Sequence, residues 1–429
     1  MKFSNYPPIC YVLLILVFTG ILYGQVVGYP FQTSWDDHWV VMNVYTKAGL
    51  TAANLWRILS EFYNGQYAPI NEIYYTILYH FFGYQPMAFH LGNLLIHMIN
   101  IYLIFRFFSL LLVNARIMNK LDGERTALVT CFIFAVHPLM VESVAWISAS
   151  KILLYALFYL AGLIAYIKFL NHFQKKYLVF TFIAFLLSYL GKEQAVTFPL
   201  SLILIDFLFF KKKIPRLLWI QKIIFLLVSI VFGYITISSQ SSYGQGLFSD
   251  NAQYPLYQRL AFCFYSVFEY LAKCLLPVKL SYVYPFPNRI GEPLPVGLLL
   301  YPVILFTIIA ALWQYFKYRW FLLGVVFFLT HLITVVHIIP IARFVIVADR
   351  YVYLASPGLF FLIAYILNYL SRRFNRHRNT ISIILVFYLL SLSGYSYNRI
   401  KIWHDSNSLK KEIRQIIQDR GINLYPSGR

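Results

Sequence analysis

Two adjacent carboxylates, Asp36 and Asp37, stand in Trp35-Asp36-Asp37-His38-Trp39, a few residues past the first long apolar run. Neighbouring carboxylates at a membrane surface repel each other and lose hydration, so structure alone gives little reason to place them there. Ionisable groups in the membrane zone are functional candidates by default. One carboxylate also raises its partner's pKa, which suits proton transfer from a hydroxyl. The competing reading is a helix cap or a solvated loop charge. His38 is assigned to local packing or hydrogen bonding.

Two further pairs suit anion chemistry. Lys192 and Arg350 fall at the ends of apolar runs, beside Glu193 and Asp349. A cation there stabilises a leaving phosphate, and the Arg fork suits phosphate geometry. Otherwise each is an ion pair with its neighbour, Asp349 orienting Arg350. His137 and Glu142 flank one turn shaped by Pro138, as substrate-orienting groups or as loop caps. His90 and His97, seven apart, fit buried helix–helix hydrogen bonds. No His, Cys or carboxylate cluster has metal-ligand spacing, so neither metal nor cofactor is expected. Cys10, Cys131, Cys263 and Cys274 form no disulfide framework. A Gly-rich phosphate loop and HExxH are absent.

The elements that must hold these groups are membrane helices. The chain has 429 residues, 60% hydrophobic and 12% charged, with mean hydropathy +0.65. Soluble domains carry about 25% charged residues. The net charge of +20 reads as orientation signals and anionic-lipid contacts rather than nucleic-acid binding. Apolar periodicity predicts eleven spans, near 9–27, 88–112, 126–140, 152–170, 177–191, 194–210, 217–238, 296–315, 320–339, 351–370 and 380–397. The first reads as an uncleaved signal anchor. With the N-terminus in the cytoplasm, more than half of the 36 Lys and Arg fall inside. Lys151, Lys192, Arg343 and Arg350 are the cations of the short outer loops. Most acids also fall outside, so a site fed by several outer loops is expected there.

Two long outer segments remain. Residues 28–87 contain amphipathic stretches at Ala52–Phe62 and Ile70–Phe82, expected as interfacial helices. Residues 239–295 open on a polar loop. They continue into Leu260–Leu276, read as an interfacial or re-entrant helix with an i,i+4 pair between Glu269 and Lys273. A tail over 398–429 carries a helix from Ser406 to Gln418. The organisation is one transmembrane unit over 1–397 plus this tail.

Seven pieces in order carry a family resemblance: Trp35–Asn43, Tyr67-Ala68-Pro69, Phe89–His97, His137–Trp146, Gly191–Thr197, Leu276–Pro285 and Ala348–Leu354. Over nearly its whole length the chain resembles the transmembrane and tetratricopeptide-repeat O-mannosyltransferase family of the GT-C superfamily. The resemblance implies an all-α GT-C-like fold and an external active site. It also implies a polyprenyl-phosphate-linked sugar donor. Its paired acid falls on Asp36 and Asp37. Where the family often has Arg between Tyr67 and Pro69, this chain has Ala68, so another cation must serve there. The family's repeat array does not follow Trp403. That favours a bacterial cytoplasmic membrane, with the acceptor module absent or supplied by another chain.

The resulting expectation is an integral membrane glycosyltransferase. It moves a mannose-like sugar from a polyprenyl phosphate to a hydroxyl of a protein, glycan or lipid, with inversion. A lipid-linked sugar transporter, marked by paired charges deep in the spans, and a non-catalytic scaffold subunit are the alternatives.

Overall fold

The computed structural model describes residues 7–211, 213–242, 254–281, 283–339 and 345–419. Lys212, Arg343 and most of the polar loop at 243–253 therefore lie outside the described residues. In chain order the helices are α1 (Pro8–Tyr23), α2 (Asp37–Val40), α3 (Val44–Ala48), α4 (Ala52–Ser60), α5 (Pro69–Phe82), α6 (Pro86–Asn114), α7 (Lys120–Val136), α8 (Val141–Ala145) and α9 (Ser150–His172). There follow α10 (Lys175–Gly191), α11 (Phe198–Phe210), α12 (Arg216–Ser241), α13 (Leu256–Leu275), α14 (Leu300–Leu312), α15 (Arg319–Leu332), α16 (Ser356–Arg373), α17 (Arg378–Ile400) and α18 (Ser406–Asp419). The described residues form no strand beyond two isolated bridges, Tyr63 with Gln66 and Tyr284 with Val347.

Every expected span overlaps a helix, although residues 333–339 of the span at 320–339 form turns and bends beyond α15. By length and apolarity, seven helical segments qualify to cross a membrane, or eight if the bent pair Lys120–Val136 and Pro138–Ala145 is one span. Helices α10, α15 and α16 are outside that set, so the structure does not fix the count at eleven. Helix α15 holds 14 residues, and α16 ends in Arg372 and Arg373. Close packing ties α15 and α16 together: a Cβ added at Gly358 would lie 2.5 Å from the Gly324 carbonyl oxygen. Small residues of this kind let membrane helices approach without a hydrophobic driving force.

The core lies among α6, α7, α9, α10 and α16. Of the α9 span's apolar window 67% is buried, against 6% for α14, so α14 is a peripheral helix facing lipid. Polar groups join the central helices. The Tyr353 hydroxyl meets His97 Nδ1 at 2.7 Å and accepts from Asn100 Nδ2 at 3.2 Å. His97 thus sits in a buried helix–helix network. The expected interfacial helices appear as α4 and α5, and α2 and α3 are two short additions. Thr51 and Asn43 cap α4 and α3 through backbone N–H groups. The pair Glu269–Lys273 forms on α13.

Candidate active site

The structure divides the acid pair. Asp36 closes the turn into α2 and stays partly exposed; its Oδ1 accepts from Trp39 Nε1 at 3.1 Å. Asp37 is fully buried. Its carboxylate accepts from the Gln32 backbone N–H at 2.7 Å, from the Ser148 N–H at 3.2 Å and from the Ser148 hydroxyl. Burial raises its pKa, and the charge on Asp36 adds only a minor share. The neighbour effect expected from the sequence is therefore secondary to desolvation. Asp37 ties the first loop to the turn before α9. Asp36 keeps the exposure that a base needs.

Cations gather beside this loop. Arg350 packs 4.8 Å and Lys192 5.8 Å from the centre of the Tyr351 ring, so one aromatic side chain joins the two. Arg350 also lies over Trp146, at 5.3 Å. Glu142, fully buried, accepts from the Arg350 backbone N–H at 2.8 Å and pairs with its guanidinium. Lys192 pairs with Glu193 at 3.2 Å. Lys151 donates to Gln66 Oε1 at 2.7 Å. Its ammonium lies within electrostatic reach of Asp36, Lys192, Glu193 and Arg350.

Local sequence explains Gln66. Asn64 (φ 46°) and Gly65 (φ 71°) make a two-residue turn with paired backbone hydrogen bonds between Tyr63 and Gln66. Asn-Gly suits both positive φ values. The turn delivers Gln66 to Lys151, two residues before Ala68. In the sequence Lys151 stands only as one of four outer-loop cations, with no role of its own. Glu72 on α5 is a second residue missed among the candidates. Its carboxylate accepts from Asn43 Nδ2 at 2.6 Å, and burial lifts its pKa to about 7.

One expected pairing changes, and the contacts of His137 fit its loop-cap reading. Asp349 does not orient Arg350. It pairs with Arg399 of α17 at 2.6 Å and accepts from the Tyr284 hydroxyl at 2.9 Å. Residues 349–352 form a 3₁₀ turn, which sends consecutive side chains about a third of a turn apart. Glu142 is the group that holds Arg350. His137 is buried against Phe360, its Nδ1 accepting from the Leu139 N–H at 3.3 Å. It caps the break between α7 and α8 and does not join the cation cluster.

The tail also reaches the site. Trp403 stacks on Trp146 with ring centres 5.6 Å apart, and Gln32 Nε2 donates to the Trp403 carbonyl at 2.8 Å. Ser406 donates to Gln32 Oε1 at 2.9 Å. No group of three or more potential metal-ligating side chains stands together among the described residues.

Fold and site describe an all-helical, multi-pass membrane protein with a carboxylate and several cations assembled at one end of its bundle. Comparison with known proteins finds glycosyltransferase similarity over part of the chain. The protein O-mannosyl-transferase TMTC4 of Homo sapiens is 29% identical over 145 residues, covering 31% of this chain and 20% of that protein. Its Mus musculus counterpart is 27% identical over 143 residues, covering 30% and 19%. The match thus spans about a fifth of the length of these curated relatives. The apo oligosaccharyltransferase of Archaeoglobus fulgidus aligns with TM-score 0.46 and 12% identity, over all of this chain and 61% of that one. No family profile matches the chain.

Proposed function

We propose that the protein is a membrane glycosyltransferase that takes its sugar from a polyprenyl-phosphate carrier and passes it to an acceptor hydroxyl. The supporting observation is the Lys192–Tyr351–Arg350 array with Lys151 beside it, within electrostatic reach of the partly exposed Asp36. The O-mannosyltransferase similarity supplies the sugar-transfer class. Asp36 takes the acceptor proton as the hydroxyl oxygen attacks the anomeric carbon. The carbon–oxygen bond to phosphate breaks, and its electron pair leaves on the phosphate. Lys192, Arg350 and Lys151 balance that charge, and such electrostatic stabilisation is commonly a leading share of catalysis. A single displacement inverts the anomeric centre. Asp37 holds the loop, while Glu142 and Glu193 orient the cations. The acceptor is a protein, glycan or lipid on the extracytoplasmic side of the membrane.

A transporter is less well supported. The buried Asp206–Lys222 pair, with Tyr166 donating to Asp206 at 2.5 Å, is the charge pair inside candidate spans that bears on it. Asp206 lies four residues from the end of α11 and Lys222 six from the start of α12, so the pair sits near one end rather than at the midplane. The test is transfer of labelled sugar in purified membranes, from a polyprenyl monophosphate carrier and, separately, from a nucleotide sugar. Transfer from the carrier alone is the expected result. Transfer from the nucleotide sugar alone would refute the donor assignment.

A further inference from the structure

The opposite end of the bundle holds a second site. Helix α17 (Arg378–Ile400) carries Arg378 at its start and, near its end, Arg399, which is paired at the acidic end, so at about 1.5 Å per residue the two lie about 30 Å apart. Around Arg378, helices α16 and α17 diverge from the turn that joins them, and α7 closes the wedge. The cleft between them encloses about 310 Å³. Arg125, Arg372 and Arg378 line its mouth with Asn368 and Asn375, and no lining residue is acidic. The nearby Asp122 is already engaged, accepting from Asn119 Nδ2 at 2.6 Å and pairing with Arg372.

The inner wall is apolar. Val129 lies one turn beyond Arg125 on α7, and Leu385 lies two turns beyond Arg378 on α17, with Ile381 between. Cations therefore sit at the mouth and hydrocarbon runs inward along the same grooves. A free phosphate has no use for such a wall, and a soluble peptide has no reason to follow it towards the bilayer core. A phospholipid has both parts. Basic pockets between membrane helices recognise anionic headgroups by the same logic.

We propose that this cleft binds one anionic phospholipid, with its phosphate against Arg125 and Arg378 and an acyl chain along Val129, Ile381 and Leu385. The site is independent of the sugar-transfer reading, since it shares no residue with the acidic end. Binding of the lipid wedges α16 against α17 and α7, the three helices that meet there.

The test uses the full chain purified in detergent and native mass spectrometry with added phosphatidylglycerol, phosphatidylethanolamine or inorganic phosphate. One phosphatidylglycerol should be retained per chain, at least tenfold more tightly than phosphatidylethanolamine. The double variant Arg125→Gln/Arg378→Gln should weaken that retention about tenfold or more, while Lys176→Gln on α10 should not. Equal retention of both lipids, or unchanged binding by the double variant, would overturn the proposal. Displacement of the lipid by millimolar phosphate would replace it with a free-phosphate site. A phosphatidylglycerol with a photoactivatable acyl chain keeps the question open to decision if the double variant misfolds. On the wild-type protein it should label α17 near Ile381 and Leu385, and labelling confined to other helices would refute the site.

Discussion

At one end of the bundle, Arg399 and Asp349 meet with both side chains buried, and a fully buried Glu142 grips Arg350. At the other, Arg372 reaches Asp122 with 62% of its own side chain exposed. The two ends use the same residue types for different ends. Buried pairs are costly to assemble but heavily penalised when half is removed, so they fix geometry. Exposed pairs contribute little and leave cations available to ligands. The acidic end therefore has the rigidity that positioned chemistry requires, and the basic end has the access that a lipid surface requires.

The strongest way to break this contrast is Asp36→Asn. As a positioned base it should lower sugar transfer by about 10²–10⁴-fold without altering expression or thermal unfolding. Turnover equal to wild type in membranes would remove the base and favour a scaffold. Next, Arg399→Met strands the Asp349 carboxylate and should cost about 3–5 kcal/mol, read as a fall in unfolding temperature in detergent. An unchanged unfolding temperature would show that the pair is not fixing the turn at 349–352. Third, Lys192→Ala should lower catalytic efficiency with the lipid-linked donor by one to two orders, from a charge-assisted bond worth about 1.5–3 kcal/mol. Full efficiency would move the donor phosphate elsewhere.

A pH measurement sharpens the comparison further. Glu72 has a folded pKa near 7, raised from 4.5 by burial. Its stabilising contribution is complete below the unfolded value and is lost as pH rises through about 7. Stability should fall across that window by up to about 3 kcal/mol, and Glu72→Gln should flatten the fall. A wild-type slope retained in the variant would assign it to another group. Smallest of all, Arg372→Ala should cost no more than about 1 kcal/mol. A loss as large as that of Arg399→Met would erase the distinction between the two ends.

Helix positions were legible because apolar runs and caps are local. Even α18 was expected within one residue of its end. The span count was not, because α10, α15 and α16 depend on neighbours rather than on their own length. Within the site, residue identity was readable and partnership was not. Asp36 and Asp37 look equivalent in sequence, and only the approach of Gln32 and Ser148 separates them. Asp349 adjoins Arg350 in the chain, but the tight turn sends one to α17 and the other to α8. Lys151 was one of four outer cations in the sequence, and its partner Gln66 appears only through the Asn-Gly turn.

The Gln32 side chain binds the Trp403 carbonyl, 371 residues later in the chain, while its own N–H holds Asp37. The ribosome adds about 5–20 residues per second, so roughly 20–70 s separate the emergence of the two partners. During that interval the first loop has left the ribosome without the clamp that completes its shape. Assembly of the acidic end is therefore a late event in biogenesis, and a chain truncated before Trp403 would insert its helices yet leave that loop unfinished.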